Sequence, residues 1–382
     1  MKTNALVLFL STHKKYLGLF VYHLLFILFA YQLRVARGKS DAYLYWGKTT
    51  YFRDRSWFDF AHYGADFMLF LNYPFIKLGF PFWFGFLLYG TIGFLGIVKW
   101  MQWAELLVQD VFIYKGFNYL YLLFFLPNLH VWTASLGKEA LVFWGIASVV
   151  YAVTTQKYVT FSAVAGSLVV LLIRPHVALM LLSAVGIVFL FQKSRPTKQK
   201  LTILTVFLSA AMVILYMVFQ LSGIRYWNWE RITYFNAYSV LSFRHSGSYV
   251  PMLEYSYFYK WFSFHFRPLF YDAYSVLAVL ASIENLFYLL IFLVATFFAV
   301  RYRSKIRYTT EMKVVILFTV MASLLYVERY ANLGIFMRTK MMFEPFLLIT
   351  LLLIIQQGFL ISFNQGGSAS NHSLSSGDES EY

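Results

Sequence analysis

The chain has no cysteine among its 382 residues, so disulfides, thiolate metal sites and cysteine nucleophiles are excluded. Charge is scarce too: Asp, Glu, Lys and Arg together make up 13% of residues. At that charge content, a mean hydropathy of +0.61 excludes a water-soluble surface. Acids are scarcer than bases, 17 against 32, for a formal net charge of +15. In a soluble protein that excess would raise nucleic acid as a partner. Here many bases sit in short loops between apolar runs, where they set orientation, and no nucleic-acid partner is expected. There is no Walker loop, no dinucleotide glycine fingerprint after a strand and no HExxH. The eight histidines are scattered, which indicates no metal site, and no cofactor is expected.

What the chain does have is hydrophobic length. Apolar stretches follow one another from Leu17 to Phe363, 60% of residues are apolar and 21% are aromatic. Tyr and Trp gather beside these stretches, as interfacial belts do. The expected fold is all-α: a polytopic transmembrane helix bundle over residues 1–363, with about ten spans. They read as 17–33, 82–98, 118–132, 139–154, 158–173, 177–192, 201–221, 276–300, 314–327 and 341–361. The segment after Leu17 lacks a small-residue cleavage site, so it reads as a span and not as a signal peptide.

Basic segments at His13-Lys14-Lys15, 192–200 and 301–313 orient these spans, because Lys and Arg favour the cytoplasmic side. External loops then fall at about 34–81 and 223–275, with both termini inside. The parity closes only if 68–79 does not cross. That segment is short and carries Asn72, Pro74 and Lys77, so it reads as a re-entrant or interfacial helix. The polar tail 364–382 is low in complexity and expected to be a disordered cytoplasmic segment.

Ionisable groups near bilayer depth are expensive, so they mark candidates for function. After the first span, Arg34-Val-Ala-Arg37-Gly-Lys39-Ser-Asp41 is basic on the side where the bias predicts few cations. That suits a phosphate-bearing head group. Asp41 lies beside Arg37, Lys39 and Lys48 and could accept the proton of a sugar hydroxyl. The plainer alternative is an interfacial loop whose aspartate pairs with a lysine. Further on, Pro127 and Gly137 interrupt an apolar run ahead of Lys138 and Glu139, a break tolerated where it lines a polar cavity. Glu139 is the second candidate catalytic carboxylate; alternatively it satisfies a helix N-terminus.

Arg174-Pro175-His176 sits at a break between two short spans. Arginine there is a good pyrophosphate ligand, or else a snorkelling side chain in a turn. The loop 223–275 is again cationic, with Arg267 beside interleaved aromatics, and Glu284 in the following span needs a partner. Towards the end, Arg338 and Lys340 are expected at the outer rim. Glu344 lies about one turn further into the last span, where an Arg–Glu pair could form. An anchoring belt of basic residues is the alternative.

Several of these blocks together carry a resemblance. They are Ser40-Asp41-Ala-Tyr43-Leu-Tyr45-Trp46, then Leu126-Pro127 with Trp132 and Leu136-Gly137-Lys138-Glu139, and finally Asn332, Gly334, Arg338, Lys340 and Pro345. The pattern resembles bacterial envelope-polysaccharide membrane enzymes: the Wzy- and EpsG-like polymerases and the polytopic GT-C glycosyltransferases. The resemblance implies glycan transfer from a polyprenyl-pyrophosphate carrier at the outer face of a bacterial inner membrane. Other polysaccharide-assembly proteins would be neighbours. It implies a catalytic carboxylate in the first external loop, which Asp41 matches. It also implies external arginines that hold the lipid-linked glycan, which Arg174, Arg267 and Arg338 match by location. Arg37, Lys138 and His176 join them as candidate substrate-binding residues. A second acid adjacent to Asp41, common in GT-C enzymes, is missing, and so is a soluble domain after the spans. Both absences favour the polymerase. The alternative function is a transporter or flippase of an anionic lipid-linked sugar, with no covalent chemistry.

The orientation is testable. Reporter fusions at Lys198 and Tyr308 should read cytoplasmic, and fusions at Tyr249 and Asn332 external. An external signal at Lys198 would overturn the arrangement, since every other assignment is counted from it.

Overall fold

The structure is a computed structural model that describes residues 2–38, 40–47, 52–108, 113–114, 117–222 and 228–375. Of these, 2–14, 47, 113–114, 117 and 364–375 are described by backbone alone. Lys39 and Lys48 of the first loop, Arg225 of the second and the last part of the tail lie outside the described residues.

Helices dominate. In chain order they are α1 (Lys2–Arg37), α2 (Ala65–Lys77), α3 (Phe82–Leu107), α4 (Pro127–Thr133), α5 (Lys138–Thr155), α6 (Phe161–Ile173) and α7 (Pro175–Leu190). There follow α8 (Thr197–Ser222), α9 (Trp229–Leu241), α10 (Tyr257–Phe266), α11 (Val276–Arg301), α12 (Thr310–Val327), α13 (Leu333–Lys340) and α14 (Glu344–Ser375). A hydrocarbon core leaves backbone groups no water to bond, so a chain this apolar satisfies them within helices. The backbone of the tail, expected to be disordered, continues α14 as helix through Ser375, and 376–382 lie outside the described residues.

Six helices are long and apolar enough to cross a membrane: Lys15–Arg37 within α1, then α3, α8, α11, α12, and Glu344–Phe363 within α14. The chain is a multi-pass membrane protein. The pair α4 and α5 is bent by 114° at the break between them, a re-entrant loop or, taken as one broken span, a seventh crossing. The remaining expected spans are shorter. With 13 and 16 residues, α6 and α7 are about 20 and 24 Å long, short of a hydrocarbon core of about 30 Å. At 13 residues α2 is also too short to cross.

The stretch 118–132, expected as one span, is not one helix. It is a 3-10 segment, Tyr119–Phe125, followed by α4 with Pro127 in its first turn. Proline lacks an N–H and fixes φ, so it starts a helix well and interrupts one badly. The broken stretch still runs the depth of the bundle beside α1. At one end Tyr121 Oη and Lys15 Nζ both reach Glu105 Oε1, at 3.0 and 2.5 Å. Further along, Tyr22 Oη donates to the Phe125 carbonyl. His130 then meets His23, Nδ1 to Nδ1 at 2.8 Å, and each ring turns its Nε2 to a backbone carbonyl, of Phe124 and Gly90. At the far end Ser135 and Gly137 lie with Arg34 and Asp41.

Close backbone approach holds the centre. A Cβ at Gly145 of α5 would come within 2.6 Å of both the Gly166 carbonyl oxygen and Val170 Cγ2 of α6. Small residues let helices in lipid approach closely, and dispersion then supplies the attraction. By contrast α8 stands at the periphery, where Ile214 is its one buried residue and α7 its main neighbour.

Gly145→Val should therefore overpack the α5–α6 contact and cost about 1–3 kcal/mol. A lowered thermal midpoint in detergent would report it. Gly18 has no atom within 4 Å of a built Cβ, so Gly18→Ala is the control and should leave the midpoint unchanged or slightly raised. Equal midpoints for both variants would contradict this packing.

Candidate functional site

The site grows from one buried carboxylate. Glu139 lies in the first turn of α5, where the helix N-terminus favours negative charge, and its side chain is 4% exposed. One oxygen, Oε1, accepts from Arg174 Nη2 at 2.5 Å and from Arg338 Nε at 2.6 Å. Arg174 occupies the break between α6 and α7, which Pro175 enforces as the first residue of α7. Arg338 comes from the last turn of α13 and also donates through Nη1 to Asp41 Oδ2 at 2.9 Å. Four separate parts of the chain thus meet on two carboxylates at one end of the bundle.

Two cavities flank this knot. The larger, of about 500 Å³, is lined by Lys138, Arg174, His176, Tyr326 and Arg329, and by Val218 and Leu221 of α8. The smaller, of about 280 Å³, is lined by Arg34, Arg37, Ser40, Trp132, Ser135 and Glu139. Asp41, Ile335 and Arg338 form the wall common to both. Six Arg and Lys side chains line the pair of cavities against the two carboxylates, so the site carries a surplus of positive charge.

The individual environments differ. Burial alone would lower the pKa of Arg338, but Glu139 and Asp41 outweigh it and raise it above the usual guanidinium value. Arg329 makes no ion pair among the described residues. It stacks over the Phe235 ring at 4.4 Å, and burial draws its pKa below the usual value. Arg174 Nε and Tyr326 Oη are buried without a hydrogen bond of normal geometry. The two side chains interact with each other, and both belong to residues lining the larger cavity. Asp41 is 48% exposed and uses one oxygen on Arg338.

Of the residues expected from sequence, Arg37, Asp41, Lys138, Glu139, Arg174, His176 and Arg338 all line one cavity or both. Arg267 does not. It forms a two-pronged ion pair with Asp272, Nε to Oδ2 at 2.9 Å and Nη2 to Oδ1 at 2.7 Å. A 3-10 turn at Phe270–Asp272 brings that carboxylate back to the end of α10, and Arg267 in turn holds Asp272 below the usual carboxylate range.

Lys340 requires a correction. It is not at a rim but fully buried, donating to the His265 carbonyl at 2.7 Å and to Asn285 Oδ1 at 2.5 Å. Residues two apart on a helix face opposite sides, so Arg338 at the cavity turns Lys340 inward. The expected Arg–Glu pair is replaced by Lys340 and Glu344, 3.8 Å apart. Glu284 is buried and accepts from the Asn128 backbone N–H at 3.0 Å. Tyr326 was not foreseeable, since one more aromatic in an aromatic-rich chain carries no signal.

Comparison with protein-family models, with curated proteins and with solved structures gave no match. No group of three or more His, Asp or Glu among the described residues is placed to hold a metal ion.

Glu139→Gln would leave two buried guanidinium groups without their counter-charge, and removing one partner of a buried ion pair costs about 3–5 kcal/mol. Asp41→Asn, at a half-exposed pair, should cost under about 1 kcal/mol. Reversible unfolding in mixed micelles would rank the two variants. Equal stability would contradict the central place given to Glu139.

Proposed function

We propose that the chain is a membrane glycosyltransferase or polysaccharide polymerase that moves glycan from a polyprenyl-pyrophosphate carrier to a sugar hydroxyl. One observation carries this reading: the larger cavity combines cationic groups with an apolar wall from the peripheral helix α8. Such a cavity suits a ligand with an anionic head and a hydrocarbon chain. In this reading the pyrophosphate rests among Lys138, Arg174 and Arg329, and the isoprenoid leaves between α8 and its neighbours into the bilayer.

The chemistry is a displacement at the anomeric carbon. The bond from that carbon to the pyrophosphate oxygen breaks, and a bond to the acceptor oxygen forms. Asp41 takes the acceptor proton, and the free oxygen of its carboxylate supplies the lone pair. Lys138, Arg174 and Arg329 stabilise the charge that develops on the leaving pyrophosphate, an effect often worth several kcal/mol. Arg338 aims Asp41 from the wall between the cavities. Glu139 is a positioning residue here, because its Oε1 is committed to two arginines. The bundle would sit in a bacterial inner membrane with ten crossings, the short helices α6 and α7 among them, and the site on the outer side.

A transporter of the same lipid-linked anion is the second reading. It is favoured by the break at Arg174 between two short helices, since interrupted helices around a charge also serve transport. Purified protein given polyprenyl-pyrophosphate glycan should lengthen the glycan and release free carrier with no nucleotide present. Asp41→Asn should lower that rate by about 10²–10⁴ while leaving the protein folded. Movement of substrate across vesicles with no new glycosidic bond would replace the enzyme by the transporter.

A further inference from the structure

The smaller cavity is chemically unlike the larger. No residue of α8 lines it, and its apolar side chains are Ala42, Trp132, Leu136 and Ile335. Arg34 and Arg37, both from the last turn of α1, line it and make no ion pair among the described residues. The carboxylates within reach are already engaged, since Arg338 holds Asp41 and shares Glu139 with Arg174. Ser40 Oγ, at the same cavity, is buried without a hydrogen-bond partner among the described residues. Trp132 presents its ring beside these groups, held by its Nε1 donating to Asn128 Oδ1 at 2.9 Å. A planar apolar face next to unpaired guanidinium groups and a free hydroxyl is a surface for a sugar that carries negative charge.

We propose that the smaller cavity is a second anion site, distinct from the pyrophosphate site, and that it receives an acceptor sugar bearing a carboxylate. The assignment of donor and acceptor rests on the glycosyl-transfer reading above; the second anion site does not. A neutral sugar would leave Arg34 and Arg37 without a counter-charge. A uronic acid places its carboxylate between them and lays its ring against Trp132. Its hydroxyl then faces Asp41, which borders both cavities. The arginines of α1 would thus set acceptor specificity without touching the leaving group.

Equilibrium binding tests this with the full-length protein in nanodiscs of zwitterionic lipid. The probes are farnesyl diphosphate, a glucuronate-bearing disaccharide and its neutral glucose-bearing counterpart. The unaltered protein should bind the acidic disaccharide on the order of tenfold more tightly than the neutral one. The acidic disaccharide and farnesyl diphosphate should bind together without competing. The double variant R34Q/R37Q should weaken the acidic disaccharide by on the order of tenfold or more and keep farnesyl diphosphate binding, which also shows that it is folded. The double variant K138Q/R329Q should do the reverse. Equal affinity of the two disaccharides for the unaltered protein would overturn the proposal, as would competition between the two anions. So would blockage of the sugar by anionic lipid in the disc, which would make a head group the ligand. If farnesyl diphosphate binds nowhere while the acidic disaccharide still depends on Arg34 and Arg37, the donor reading falls and the second anion site stands.

Discussion

A single carboxylate oxygen, Glu139 Oε1, holds two guanidinium groups inside the bundle, and the arrangement of the site follows from it. Uncompensated, Arg174 and Arg338 would repel each other and resist burial. With Glu139 between them, the start of α5, the break before α7 and the end of α13 are fixed to one point. Asp41 joins through Arg338 and adds the loop after α1. The knot is neutralised only in part, because Lys138, Arg34, Arg37 and Arg329 stand around it with no further carboxylate among the residues lining the cavities. That imbalance, and not any one residue, is what makes the region a candidate anion site. A purely structural ion network would be expected to balance its charges.

The membrane makes the same constraint stricter. At the opposite end of the bundle Lys15, Glu105 and Tyr121 form a closed set, one cation to one acid. Between the two ends, His130 meets the Phe124 carbonyl of the interrupted stretch, and His23 meets the Gly90 carbonyl within α3. The cationic end differs, because Arg34, Arg37, Lys138 and Arg329 make no ion pair among the described residues while Asp41 and Glu139 are engaged by Arg174 and Arg338.

Much of this was legible in the sequence. Hydropathy sufficed for the helical bundle, and α1, α3, α8, α11, α12 and α14 lie where long apolar runs predict them. Asp41, Glu139, Arg174 and Arg338 were legible as candidates because charge at membrane depth is costly and therefore conspicuous. What the sequence hid was partnership. Arg267 looked like a cavity cation, yet an aspartate five residues on captures it through a turn that hydropathy does not register. Lys340 looked interfacial because its neighbours are, although helical phase turns it inward. Segment 118–132 looked like a span because composition records depth and not continuity, and Pro127 was the one signal against it.

The central claim is that the cations lining the larger cavity, Arg174 among them, hold the phosphates of a lipid. Solid-state NMR distance measurement between phosphorus and arginine side-chain nitrogen tests it most directly, on ¹⁵N-arginine protein in bilayers with farnesyl diphosphate bound. The account predicts that guanidinium nitrogens dephase the diphosphate signals, and that Arg174→Lys removes a distinct part of that dephasing. Diphosphate signals that no arginine dephases, or that Arg174→Lys leaves unchanged, would contradict it.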